Sequence, residues 1–108
     1  MSNRKEDTMF PTISIEELYQ KSQEKSLNII DVRGEAEFQE GHIPGSKNIP
    51  LNQLPNEYTS LNQDKEYYLV CHSGGRSKRA SQFLSKMDYQ VTNVTPGAPS
   101  WPGELTTD

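Results

Sequence analysis

One cysteine, Cys71, is the only thiol in this 108-residue chain. That excludes an intrachain disulfide framework. Histidine is nearly as scarce. His42 and His72, with a lone cysteine and no metal-ligand spacing, make no case for a zinc site. No metal or other cofactor is expected. Long apolar runs are missing too: nothing approaches the roughly 20 residues that span a bilayer. The opening Met1-Ser2-Asn3-Arg4-Lys5-Glu6-Asp7 lacks the apolar core of a signal peptide. A cytoplasmic protein with no membrane partner is the expectation. Apolar residues make up only 31% of the chain and mean hydropathy is −0.85. They cluster into short blocks, however, which argues for one small folded domain rather than disorder.

Net charge is −4 and the pI about 5.1, which argues against nucleic acid as a partner. Acidic residues are also absent where they would matter most. Residues 67–87 hold Arg76, Lys78, Arg79 and Lys86 and no Asp or Glu. An acidic chain thus sets its basic patch around its only cysteine. A small anionic substrate would explain this; a solvated helix face with ordinary lysines and arginines is the plainer alternative.

Residues 1–10 read as a polar tail. Ser14-Ile15-Glu16-Glu17 has the form of a capping box, and Ile15, Leu18 and Tyr19 follow at helical spacing, so a helix is expected over about 14–22. Leu27-Asn28-Ile29-Ile30-Asp31-Val32 reads as a buried strand. A short helix near Glu35–Glu40 should stop at Gly41. His42-Ile43-Pro44-Gly45 reads as a turn, Lys47–Pro50 as a brief strand, and 51–65 as a short helix and loop. Tyr67–Val70 is the next strand. In the helix after the cysteine, Ala80, Phe83, Leu84 and Met87 form the expected buried stripe. Asp88 falls at its end, in a position that suits a left-handed residue. Val91–Val94 is the last strand. Strands alternating with helices predict an α/β domain with a largely parallel sheet.

Cys71 is the candidate nucleophile. It would sit at the C-terminal end of a strand and face the N-terminus of a helix, where N–H groups and the helix dipole favour a thiolate. Gly74 and Gly75 let the loop curl so that several N–H groups aim at one point. Arg76 can present a bidentate fork to an anion. His72 and Ser73 either line the pocket or face solvent. His42 reads as a structural turn residue and Trp101 as the closure of one edge of the domain. Asp31 and Arg33 follow a buried strand, where charges need partners. Arg33 is expected to pair with Glu37 or Glu40, and Asp31 to accept backbone N–H bonds. Both are read as scaffold first.

Four ordered blocks carry a family resemblance. Asp31-Val32-Arg33 comes first, then Glu37-Phe38 with Gly41-His42-Ile43-Pro44-Gly45-Ser46 and Asn48-Ile49-Pro50. The Cys71–Arg76 loop is third, and Gly97 with Trp101-Pro102-Gly103 is last. Together they resemble the single-domain rhodaneses, the thiosulfate sulfurtransferase family, over residues 11–105, with 106–108 left as a short tail. The resemblance implies a rhodanese-like fold, a five-stranded mostly parallel sheet with helices on both faces. It also implies sulfur transfer through a persulfide on Cys71, cradled by the N–H groups of residues 72 to 76. His72, Ser73, Gly74, Gly75 and Arg76 would then be substrate-binding, with Ser77, Asp31 and Arg33 in support. The donor would be thiosulfate or a small persulfide. The acceptor must be external, because no second cysteine can discharge the persulfide: cyanide, a small thiol or a thioredoxin-like protein. Two positions depart from the family pattern: Ala98-Pro99 where a second glycine is common, and Asp88 where many members have Gly.

Two other functions fit the loop less well. Cysteine phosphatases use Cys-x5-Arg, which would need arginine at Ser77; arsenate reductase chemistry is the related option. A redox-sensing or binding domain is the other, since a low-pKa exposed cysteine is also prone to oxidation.

Overall fold

The structure is a computed structural model that describes residues 10–108. Most of the expected polar tail, residues 1–9, lies outside them. Five parallel strands form one sheet in the order β1-β5-β4-β2-β3: β1 (Thr12–Ser14), β2 (Asn28–Asp31), β3 (Lys47–Asn48), β4 (Glu66–Val70) and β5 (Gln90–Thr95). The connections carry α1 (Ile15–Ser22), α2 (Glu35–Glu40), α3 (Leu54–Glu57) and α4 (Gly75–Lys86). Among the described residues no helix is long and apolar enough to cross a membrane.

Alternation along the central strands divides the core into two layers. Ile30, Leu69, Cys71 and Val91 face one side with Ala80 and Leu84 of α4. Ile29, Tyr68, Val70 and Val94 face the other with Ile15 and Leu18 of α1. A strand buried on both faces reads as a continuous apolar run, which is why β2 and β4 stand out in the sequence.

Strand β1 was not read from the residue pattern. Three residues give no measurable period, and Ser14 ends the strand while also capping α1, its Oγ accepting the Glu17 N–H at 3.1 Å. The stripe on α4 is also corrected. The helix starts at Gly75, and that phase turns Ser77, Ala80, Ser81 and Leu84 to the sheet. Phe83 is half-buried, and Met87 lies past the last turn with 38% of its surface exposed. The buried serines satisfy themselves locally: Ser81 Oγ donates to Ser77 O at 2.8 Å and Ser77 Oγ to Gly74 O at 3.3 Å. Asp88 takes φ 69°, the left-handed conformation expected of it.

The domain reaches further at both ends than the residues alone suggested. Phe10 packs against the α4-side core. Thr106 exchanges backbone hydrogen bonds with His42 at 2.8 and 2.9 Å, so the C-terminal segment is tied down rather than a tail.

Candidate active site

Ligands of open parallel sheets bind beyond the carboxyl ends of the strands. Here that edge holds the chain leaving β4, Cys71 to Gly75, beside the chain leaving β2, Val32 to Gly34. The two are joined where Val32 N–H donates to Val70 O at 2.9 Å.

Cys71 is 1% exposed, at the floor of its loop. The loop turns back over the sulfur because Gly74 adopts φ 102°, a left-handed conformation costly for residues with a Cβ. That turn aims the Gly74 N–H at Sγ, 3.0 Å away. Ser77, one turn into α4, places its Oγ 3.4 Å from the sulfur. From below, Ala98 N–H donates to Cys71 O at 2.8 Å. Gly97 allows this approach: a Cβ there would overlap the carbonyl oxygens of Cys71 and His72. Ala98-Pro99 does not open this rim. Ala98 is buried and starts a one-turn 3-10 helix, Ala98–Ser100.

Burial alone would push the Cys71 thiol up. The Ser77 hydroxyl, the Ser77 N–H, and the N–H groups of Gly74 and Ser73 outweigh it, and the net displacement is downward. In the neutral thiol, S–H donates to Ser77 Oγ, whose own proton goes to Gly74 O. Rotating that hydroxyl lets it donate to a thiolate instead. The cradle therefore centres on Ser73, Gly74 and Ser77, one residue beyond the expected 72–76. His72, Ser73 and Gly75 all have exposed side surfaces. His72 thus takes the solvent-facing of its two expected placements.

A pH-resolved alkylation experiment checks this. Thiolate reactivity in the wild type should rise through an inflection below that of a free thiol, about 8.5. Ser77→Ala should move the inflection upward and slow alkylation at neutral pH. Because the folded-state value is depressed, the thiolate's contribution to stability is complete above the unfolded value and is lost as pH falls through the folded one. An unmoved inflection in Ser77→Ala would remove Ser77 from this role.

Arg76 does not stand free as a fork. Its Nη1 donates to Glu37 Oε1 at 2.7 Å and its Nη2 to Glu37 Oε2 at 3.0 Å. Glu37 Oε1 also accepts the Gly34 N–H at 3.0 Å, closing the first turn of α2. The Arg76 hydrogen bonds hold the Glu37 carboxyl at about 2 against the opposing effect of burial, with the Gly34 N–H and the charges of Arg76 and Arg33 assisting. One carboxylate thus ties the loop after β2 to the loop after β4. Residue reasoning missed this role. The signal available was the basic segment 67–87, which has no carboxylate of its own and must find one elsewhere.

The expected pairing of Arg33 with Glu37 or Glu40 is corrected. Arg33 folds inward and clasps Asp31, Nε to both carboxylate oxygens at 3.0 Å and Nη2 to Oδ2 at 2.8 Å. Asp31 accepts a backbone N–H as expected, that of Arg33, at 3.0 Å. Arg33 Nη2 reaches on to Gly41 O at 2.8 Å, and Asn48 Nδ2 bonds the carbonyls of Asp31 and Arg33 at 3.0 Å each. Both side chains are spent on the frame that holds Gly34 and α2. His42 is likewise structural: its ring stacks on Phe38 at 3.6 Å and its Nδ1 hydrogen-bonds Phe38 O at 2.8 Å. Trp101 meets Tyr19 edge-on at 5.1 Å, against the α1-side core.

A sequence model of the Rhodanese-like domain matches residues 14–104 of this chain. The chain belongs to the rhodanese-like domain family. Its fold is that of a rhodanese-like domain, as the resemblance implied. A Bacillus subtilis relative named "Putative sulfur carrier protein YrkF" is 42% identical over 96 residues, covering 87% of this chain. The chain spans about half of that relative, 52% of its length. The thiosulfate sulfurtransferase GlpE of Shewanella oneidensis is 29% identical over 93 residues, covering 85% of this chain and 92% of GlpE. A rhodanese-like domain protein from Staphylococcus aureus superposes with a TM-score of 0.85 at 33% identity, over 92% of this chain and 99% of that one.

Proposed function

We propose that this rhodanese-like domain moves a sulfane sulfur from thiosulfate or a small persulfide to an external thiol or cyanide, through a persulfide on Cys71. The observation that carries the reading is the Cys71 sulfur at the end of β4, with the Gly74 N–H on it at 3.0 Å and its thiol displaced downward. The Cys71 thiolate attacks the outer sulfur of thiosulfate. The S–S bond breaks, sulfite leaves with the electron pair, and Cys71 holds the transferred sulfur. An acceptor thiolate then attacks that sulfur, the Sγ–S bond breaks, and Cys71 returns as thiolate.

The added sulfur needs donors about one bond length above Sγ, a role this reading assigns to the N–H groups of the loop between His72 and Arg76. Arg76 serves first as the anchor of the loop. Pairing with Glu37 uses two of its five N–H donors, and the others stay available to a sulfonate. A relative named for thiosulfate sulfur transfer and another named as a sulfur carrier support the same chemistry.

Mass spectrometry of the intact protein tests the proposal after exposure to thiosulfate, mercaptopyruvate or a small persulfide. The expected result is a gain of one sulfur atom on Cys71 with thiosulfate or the persulfide, reversed by an added thiol. Oxygen adducts alone, under peroxide, would favour redox sensing. Cys71-dependent turnover of an aryl phosphate would favour phosphatase chemistry.

A further inference from the structure

On the same side of the sheet as Cys71 lies a cavity of about 510 Å³. Its floor is apolar: Val32, Pro50 and Leu51. One wall is cationic, made by Arg76 and Arg79 one helical turn apart on α4, and no carboxylate lines it. The cavity adjoins the cysteine loop at two points. Arg76 belongs to both, and Val32 is bonded through its N–H to Val70 O, the residue before Cys71. Leu51 N–H donates to Val32 O at 3.1 Å, so the floor is tied to the same strand end. The larger cavity beside Trp101, about 560 Å³, is lined by Tyr19, Ile29 and Ile43, whose partners form the core on the opposite face.

Size and charge point to what this cavity takes. Pockets of roughly 300–1,000 Å³ hold drug-sized organic molecules, far larger than thiosulfate or cyanide. Arg76 is neutralised by Glu37, whereas Arg79 is exposed and has no ion-pair partner among the described residues. A ligand with an aliphatic stem and an anionic end would lay the stem on Leu51 and Pro50 and its charge against Arg79.

Building on the sulfurtransferase reading, we infer that this cavity is the acceptor subsite, and that the acceptor is an organic thiol with an anionic arm. Arg79 is its specificity-determining residue. The acceptor thiolate attacks the outer sulfur of the Cys71 persulfide and leaves as a persulfide itself; the Sγ–S electron pair returns to Cys71, with no net oxidation.

Single-turnover discharge separates this step from loading. Cys71 is charged from thiosulfate, excess donor is removed, and loss of the sulfur is followed by mass with matched acceptor pairs. The pairs are N-acetylcysteine against its amide, and phosphopantetheine against pantetheine. The members of each pair differ at the anionic group alone, a carboxylate against an amide and a phosphate against a hydroxyl, so the two pairs distinguish carboxylate from phosphate. The expected wild-type result is a preference of about tenfold or more for the charged member of at least one pair, the scale of one charge-assisted contact. Arg79→Glu should abolish that preference and Arg79→Gln reduce it, each read as the ratio of charged to uncharged thiol. Arg79 is exposed, so both variants keep the fold. No wild-type preference in either pair, or a preference that survives Arg79→Glu, overturns the subsite while leaving sulfur transfer standing. A wild type that cannot be charged on Cys71 from thiosulfate or from a small persulfide overturns the parent reading and the subsite with it.

Discussion

Cys71→Ser should abolish transfer of sulfur from thiosulfate to cyanide, with a loss of at least about a thousandfold in turnover, as expected when a covalent nucleophile is removed. Serine fills nearly the same volume, and its hydroxyl can still accept the Gly74 N–H and meet Ser77 Oγ. The variant therefore keeps the loop and loses only the chemistry. A serine alkoxide is inaccessible near neutral pH, and an Oγ–S bond does not store a sulfane sulfur as a persulfide does. The control is thermal unfolding, which should differ little from wild type because one buried atom changes. Steady turnover by a folded Cys71→Ser protein would end the persulfide mechanism, whichever donor is used.

The site is only partly legible from sequence, for reasons that differ by residue. Cys71, Gly74 and Ser77 are readable because their contacts lie within seven consecutive residues, where strand end, left-handed turn and helix start are local features. His42 and Asp88 are readable on the same ground. Glu37 is not. Its partner Arg76 lies 39 positions away, and the two meet only because β2 and β4 are neighbours in the sheet. Periodicity identifies strands without ordering them. The wrong partners for Arg33 have the same origin. Exposed carboxylates at helical distance were plausible, but Asp31, two residues back across a strand end, could be reached without leaving the core. Met87 was misplaced for a different reason: the stripe depends on where α4 begins, and a shift in phase exchanges Phe83 and Met87 for Ser77 and Ser81. Buried serines give no hydrophobic signal.

Asp31→Asn should be the most destabilising conservative change in the frame. Asp31 is fully buried and Arg33 is 5% exposed, and every hydrogen bond between them stays inside the protein. The amide has one acceptor oxygen where the carboxylate has two, so an N–H of Asn faces the guanidinium donors and leaves the Arg33 charge buried without compensation. Breaking such a pair costs about 3–5 kcal/mol, a large share of the roughly 5–15 kcal/mol that stabilises a domain of this size. Thermal unfolding should fall by on the order of 15–30 °C. The double variant Asp31→Leu/Arg33→Met removes both charges at once and should recover much of the loss, since apolar replacement of a buried ion pair is often neutral. Its activity need not recover, because Arg33 also holds Gly41 O, and through α2 the frame positions Glu37 against Arg76. A folded double variant with wild-type stability but slower loading of Cys71 would separate the two uses of this pair. Equal stability of the single variant and wild type would mean that the charge is not confined as the contacts require.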